Sequence, residues 1–257
     1  MNIIHPTAIV SVNSQVDHSV KIGPYTIIDD EVVIGAGTEI SSHVRIEKFT
    51  CIGNECRIFN GAVVGAIPQD LKFKGERTKL EIGNRTVIRE FVTMSRGTAE
   101  NGKTVIGSDC LFMNYVHVAH DCIIGDHVIL SNAVNLAGHI EIQDHAIIGG
   151  LVPVHQFTRI GQFAFVGGGY RVAQDVPPYI LAAGEPLRFS GLNYVGLKRN
   201  NFSEQQIKII ERAYFIIYRS QLNRTEAISK IKNEMEESEE TKNINDFFES
   251  TERGIIK

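Results

Sequence analysis

The stretch Ile22-Gly23-Pro24-Tyr25-Thr26-Ile27-Ile28-Asp29-Asp30-Glu31-Val32-Val33-Ile34-Gly35-Ala36-Gly37-Thr38-Glu39-Ile40 places an aliphatic residue at every sixth position: Ile22, Ile28, Ile34 and Ile40. The rhythm runs outward in both directions, from Ile4 to Val64 without a break and again, in the same phase, from Ile106 to Val172. Of the 29 positions in this series only Asp70, Glu76 and Glu100 are polar. A period of six fits neither a helix (3.6) nor an alternating strand (2), so it marks a repeat architecture. The geometry that satisfies it is one short strand per hexad, a turn between hexads, and three hexads closing each coil of a prism. Aliphatic side chains then point inward and stack on residues 18 positions away, so neighbouring coils bury each other's apolar faces. With strands ~4.8 Å apart, nine to ten coils make a column on the order of 45 Å long.

Glycine recurs directly after the aliphatic residue, as at Gly23, Gly35, Gly53, Gly83, Gly107, Gly125 and Gly161. That recurrence implies a bend unfriendly to a side chain or to an ordinary φ. Three of the four cysteines (Cys56, Cys110 and Cys122) fall two residues before the aliphatic position, where Thr26, Thr38, Thr86 and Ala146 stand elsewhere. They read as reduced packing residues; Cys51 is off this phase and has no such account.

Two segments break the column, 66–79 and 95–104. Insertions in such columns leave as loops, often on the binding side. The first, with Gln69, Asp70, Lys72 and Lys74, reads as the better ligand contact. The rhythm ends after Val172, and Pro177-Pro178 blocks further strands. A helical period follows: Ser203 caps a helix with Gln206 three residues on, Thr225 opens a second amphipathic stretch, and a third holds Phe247 and Phe248. The expected organisation is a mainly β column over 1–190 and a helical domain over 191–257.

The net charge of −4 and pI near 6.1 argue against a broad nucleic-acid-binding face. No transmembrane stretch and no N-terminal leader are visible, so the expected compartment is the cytoplasm. Among nine histidines, six (His5, His18, His43, His127, His139 and His145) occur singly on variable hexad positions and read as mostly solvent-facing; His127 and His145, 18 apart, stack. His117 and His120 differ. They lie in His117-Val118-Ala119-His120-Asp121-Cys122, with a carboxylate beside the second histidine, an arrangement suited to a general base. A solvated polar cluster is the alternative from spacing alone. Gly138 falls one 18-residue coil beyond His120, where its backbone N–H would serve as an oxyanion donor. With no activated serine or cysteine in view, direct reaction assisted by a general base is favoured over a covalent intermediate.

These residues carry a resemblance. The hexads resemble those of the hexapeptide-repeat acyltransferases, which implies a left-handed parallel β-helix and a homotrimer. More narrowly, His117-Val118-Ala119-His120-Asp121-Cys122, Leu136-Ala137-Gly138-His139, Val154-His155-Gln156-Phe157, Ala173-Gln174-Asp175-Val176-Pro177-Pro178-Tyr179, Gly196-Leu197-Lys198-Arg199 and the loop Gln69-Asp70-Leu71-Lys72 are similar to the UDP-N-acetylglucosamine 3-O-acyltransferases of lipid A synthesis, nearly end to end. The resemblance implies that His120 is the general base for the sugar 3-hydroxyl, Asp121 its support and Gly138 the oxyanion donor. Lys72, His117, His139 and His155 would line the site; Gln69, Asp70 and Gln156 would contact sugar, nucleotide or acyl groups; Asn193 and Arg199 would meet the donor or the nucleotide phosphates. Gly168 stands where the family sets acyl length, and a glycine there implies a long 3-hydroxyacyl chain. The donor would be acyl carrier protein, an acidic partner for the basic helical tail, with the acyl group on its phosphopantetheine and no other cofactor or metal. Sites would lie between subunits of the trimer. This chain departs from the family at Asn200, where a second arginine is frequent, and at Ser95 and Pro186, where histidine is frequent. A coenzyme A-dependent acetyltransferase, a metal enzyme of carbonic-anhydrase type using His117 and His120, the lipid A N-acyltransferase (disfavoured, since the repeats begin at Ile4) and a non-catalytic column are the rival readings.

Overall fold

The computed structural model describes residues 3–257; Met1-Asn2, read above for a leader, lie outside them. Each hexad contributes one strand, commonly of two residues, and successive strands go to three different sheets in turn. Sheet A, which contains the strand Ile3–Ile4, has eleven strands; sheet B, with Ile9–Val10, and sheet C, with Gln15–Val16, have eight each. Together they form a left-handed parallel β-helix followed by a small set of C-terminal helices. Partners are 18 residues apart, as in Ile9↔Ile27 and Ile27↔Arg45. The loop 66–79 stretches this to 30 (Val63↔Thr93), and the loop 95–104 to 24 (Thr93↔His117). The insertions therefore add 12 and 6 residues to their coils without disturbing the phase of the aliphatic series.

That series is the core: Ile28, Ile34, Ile46, Ile58, Ile88, Phe112, Leu130 and Ile148 are all buried in one continuous cluster. A two-residue strand has little stability of its own. Each fully buried aliphatic side chain contributes roughly 1.5–3 kcal/mol, and this burial, shared between coils, holds the strands in register.

Of the two needs the sequence suggests for the glycines after the aliphatic residue, the structure shows the first, exclusion of a side chain. Their φ angles are mostly ordinary; a Cβ at Gly23 would instead lie 2.7 Å from the carbonyl carbon of Ser41, and one at Gly107 2.4 Å from the carbonyl oxygen of Gly125. Close approach of coils excludes the side chain. The left-handed φ falls two residues later, on Tyr25 (58°), His43 (57°), Asp121 (60°) and His139 (59°) among others. The small site two residues before the aliphatic position has a shared chemistry. Thr26, Thr38 and Thr86 donate their hydroxyls to carbonyls of the next coil at 2.7–2.9 Å. The Cys110 and Cys122 thiols do the same at 3.1 and 3.2 Å. Burial pushes both thiols up to about 12, so they stay protonated.

Contrary to the expectation from Pro177-Pro178, strands continue beyond the last hexads, because the prolines lie before the paired residues: Ile180–Ala183 extends sheet A in parallel and Arg188–Leu192 turns back antiparallel. Four helices follow: α1 (Tyr194–Arg199), α2 (Glu204–Arg219), α3 (Arg224–Glu234) and α4 (Glu239–Glu249). Ser203 caps α2 in a reciprocal box with Gln206. The second amphipathic stretch begins slightly earlier than Thr225, because Asn223 is its cap. Tyr214 of α2 donates to the Pro178 carbonyl at 2.6 Å, tying the helices to the end of the column. No helix among the described residues is long and apolar enough to cross a membrane.

Candidate active site

Both loops leave the column between a strand of sheet B and the next strand of sheet C, and so does the segment after His117–Val118. Three successive coils therefore present their least regular chain along one edge, and the candidate chemistry gathers there.

Asp121 is its centre. The carboxylate is buried, and both its oxygens accept from Thr98 of the loop 95–104: the backbone N–H reaches Oδ1 at 2.9 Å and the hydroxyl reaches Oδ2 at 2.7 Å. His120 Nδ1 lies 2.8 Å from the same Oδ2. An ionised carboxylate only accepts, so Nδ1 carries the proton and Nε2 is left with its lone pair. Burial alone would push the Asp121 carboxyl up; the hydrogen bonds from Thr98 and His120 outweigh it and hold the group below its ordinary value.

His139 is not solvent-facing. It stacks on Phe157 with centroids 4.6 Å apart, meets His120 edge-on at 5.2 Å, and brings Nε2 to 3.6 Å from Asp121 Oδ2. Its side chain is 13% exposed, as withdrawn as that of His120 at 15%. His117 sits on the strand beside them, its Nδ1 2.7 Å from the Thr93 hydroxyl. Burial foremost, and then the neighbouring His120, lower its pKa and keep it neutral.

Gly138 lies against the His120 ring: a Cβ there would be 2.6 Å from Cε1 and 2.9 Å from Nε2. Its N–H has no acceptor among the described residues. At the corner between sheets C and A the corresponding amides are capped from the next coil, as in Ala36 N–H to Asn54 Oδ1 (2.8 Å) and Asp126 N–H to Asp144 Oδ1 (2.8 Å). The edge with the histidines lacks such a ladder, so a donor stands free beside a free imidazole nitrogen.

His120, Asp121 and His139 each offer a ligand atom within 4.8 Å of the others, and are the residues here that could hold a metal ion. The fit is poor. Asp121 Oδ2 already accepts from a hydroxyl and from the Nδ1 proton, and a cation would have to displace that proton.

The other expected site residues are spread more widely. Gln69 and Lys72 are exposed on their loop, and Asp70 accepts the Lys72 N–H at 2.9 Å. His155 is half-buried one coil beyond Gly138 and is met by Arg253 at 2.5 Å; Gln156 beside it is exposed. Gly168 is exposed at the corner between sheets A and B. Asn193 caps α1 and donates to the Phe163 carbonyl at 2.9 Å, near the third corner, and Arg199 is exposed at the end of α1. One chain thus assembles His117, His120, Asp121, Gly138 and His139, and leaves Gly168, Asn193 and Arg199 at its other corners. Of the departures from the family pattern, Asn200 caps α1 by donating to Gly196 O at 2.9 Å, Ser95 is buried, and Pro186 follows a cis peptide bond. Nothing in the spacing of the sequence marks Thr98, which lies inside the loop 95–104.

The second domain of UDP-N-acetylglucosamine O-acyltransferases matches residues 175–256, and the six-repeat bacterial transferase hexapeptide family matches residues 103–138. An acyl-[acyl-carrier-protein]--UDP-N-acetylglucosamine O-acyltransferase of Chlorobaculum tepidum is 58% identical over 97% of this chain and 95% of its own length. The chain belongs to this acyltransferase family. An enzyme of the same name from Aquifex aeolicus is 56% identical over 99% of this chain and 98% of its own. Among solved structures, the UDP-N-acetylglucosamine acyltransferase of Bacteroides fragilis superposes with a TM-score of 0.97 at 46% identity, covering 99% of this chain and 100% of that one. Since both chains are covered throughout, the family relation extends over the column, the two loops and the helices alike.

Proposed function

We propose that this protein transfers a 3-hydroxyacyl group from acyl carrier protein to the 3-hydroxyl of UDP-N-acetylglucosamine, in lipid A biosynthesis. The observation that carries the chemistry is the buried Asp121 holding the Nδ1 proton of His120, with Gly138 set against the same ring. His120 Nε2 takes the proton of the sugar hydroxyl as its oxygen attacks the thioester carbonyl. The Gly138 N–H receives the oxyanion, worth about 100- to 1000-fold for one such donor in acyl transfer. The C–S bond then breaks, and the leaving thiol recovers the proton from His120. Asp121 stabilises the transient imidazolium without itself being protonated.

Around this centre, His117 and His139 line the reacting groups, and Gln69, Asp70, Lys72, His155 and Gln156 contact acceptor and acyl chain. Gly168, Asn193 and Arg199 stand at other corners of the same chain, so the reading is completed by a homotrimer whose sites lie between subunits. Gly168 leaves room for a long acyl chain. The reaction needs no metal or further cofactor, its compartment is the cytoplasm, and the functional division of the chain falls near residue 190.

The test is an assay of the purified protein with acyl carrier protein donors of graded chain length beside coenzyme A thioesters. His120→Ala should lose at least about 100-fold in kcat. Wild-type turnover in that variant would remove the mechanism, and faster transfer from coenzyme A would remove the donor assignment.

A further inference from the structure

The loop 95–104 does more than lengthen a coil. Its neck is fixed by backbone bonds, Gly97 N–H to Lys79 O at 3.0 Å and Gly102 N–H to Thr98 O at 2.8 Å. Gly97 passes so close to the next strand that a Cβ there would lie 2.4 Å from Lys103 N. The loop is therefore held in one place, and that place puts Thr98, 8% exposed, over the Asp121 carboxylate with two donors. Thr104, where the loop rejoins the column, accepts the Asp121 N–H at 2.8 Å.

Two imidazoles compete for this carboxylate. His120 Nδ1 is 2.8 Å from Oδ2 and His139 Nε2 is 3.6 Å from the same atom. With Oδ1 tied to the Thr98 N–H and Oδ2 sharing the Thr98 hydroxyl, the carboxylate plane cannot turn toward His139. We propose that Thr98 is a positioning residue of the acyl transfer, selecting His120 over His139 as the histidine that Asp121 orients and holds in the Nδ1–H tautomer. The inference rests on the reading of His120 as the base. It gives the shorter loop a catalytic purpose, whereas its sequence marked it only as an insertion.

The experiment compares Thr98→Val, which removes the hydroxyl and keeps shape and N–H, with Thr98→Ser, which keeps the hydroxyl. Thr98→Val should lower kcat about 10- to 100-fold, the range for a lost hydrogen bond to a charged group, with KM within about twofold. The carboxylate left with fewer donors holds the His120 proton more tightly. The acid limb of the kcat/KM profile should therefore move to higher pH, a change that mere loosening of the loop would not produce. Thr98→Ser should restore both kcat and the profile. In an Asp121→Asn background the Val substitution should cost less than about threefold, since the carboxylate it serves is gone; this cycle also decides the matter if Thr98→Val lowers thermal stability. Unchanged kcat and acid limb in Thr98→Val, or costs that multiply in the double variant, would overturn the inference while His120→Ala remained inactive. An active His120→Ala would instead remove the underlying reading.

Discussion

Gly138→Ala is the substitution on which the geometry of the site stakes most. The added methyl would begin 2.6 Å from His120 Cε1, 2.9 Å from Nε2 and 3.1 Å from Nδ1, against about 3.5–4.0 Å for relaxed carbon contacts. The backbone at Gly138 has an ordinary φ, so alanine is not strained there, and its N–H remains available as a donor. Neither can the chain back away: His139 N–H is bonded to His120 O at 3.1 Å, Ala137 N–H to Val154 O at 3.2 Å, and Gly138 O accepts from Phe157 at 3.3 Å. The ring must yield by about 1 Å, which breaks its bond to Asp121 or turns Nε2 away from the hydroxyl it deprotonates. A displacement of about 1 Å at a reacting group costs on the order of 100-fold, or about 2.7 kcal/mol in the barrier. The expected result is kcat reduced about 100-fold with KM nearly unchanged, and a melting temperature lowered by only a few degrees, because the clash falls on a partly exposed ring. Steady-state assays with an acyl carrier protein donor and calorimetry on the same preparation measure both. Activity within threefold of wild type, in a variant that melts normally, would refute the argument that glycine is there to admit the imidazole.

Three further outcomes follow from other parts of the structure. His117 has a folded pKa below its ordinary 6.5, so the unfolded chain binds a proton that the folded chain refuses; stability is complete above about pH 6.5 and falls as pH drops toward the folded value, and His117→Gln should flatten that loss in urea titrations at pH 7.5 and 5. Cys110 and Cys122, with pKa near 12 and buried, should resist maleimide at pH 8 until the protein is unfolded, whereas half-buried Cys51 reacts first; rapid native labelling of Cys122, read by peptide mass, would contradict the packing role given to it. Gly168→Met should move the preferred donor to a shorter acyl chain without abolishing transfer, and an unaltered chain-length profile would count against that residue as the limit of the acyl groove.

How far the site could be read from sequence depended on whether a contact kept the 18-residue spacing. Gly138 and His120 are 18 apart, and their contact was foreseeable. So, by the same rule, was that of His139 and Asp121, also 18 apart; treating His139 as one more exposed turn residue missed it. Thr98 and Asp121 are 23 apart. The insertion adds six residues to that coil, and inside the loop no periodicity says which side chain turns back toward the column. The aliphatic phase survives the insertions because the core must be continuous, whereas the loop residues answer to local bonds such as Gly102 N–H to Thr98 O.

The glycines make the same point about physical cause. The recurring Gly of the hexad was legible as a position intolerant of a side chain and Gly138 only as a backbone donor, but in both glycine is required by proximity, to a neighbouring coil for Gly107 and to a histidine ring for Gly138. Left-handed backbone, the more familiar reason for glycine, is met in this column mostly by other residues, among them Asp121 and His139. A left-handed residue costs roughly 1–2 kcal/mol when it is not glycine. At these two positions glycine would relieve that cost and lose the site, since the carboxylate and the second imidazole both project from left-handed turns on the one edge. The same left-handed turn recurs at Tyr25, His43, His127 and His145, away from the histidine edge, so the coil sets the strain and the site makes use of two of its turns.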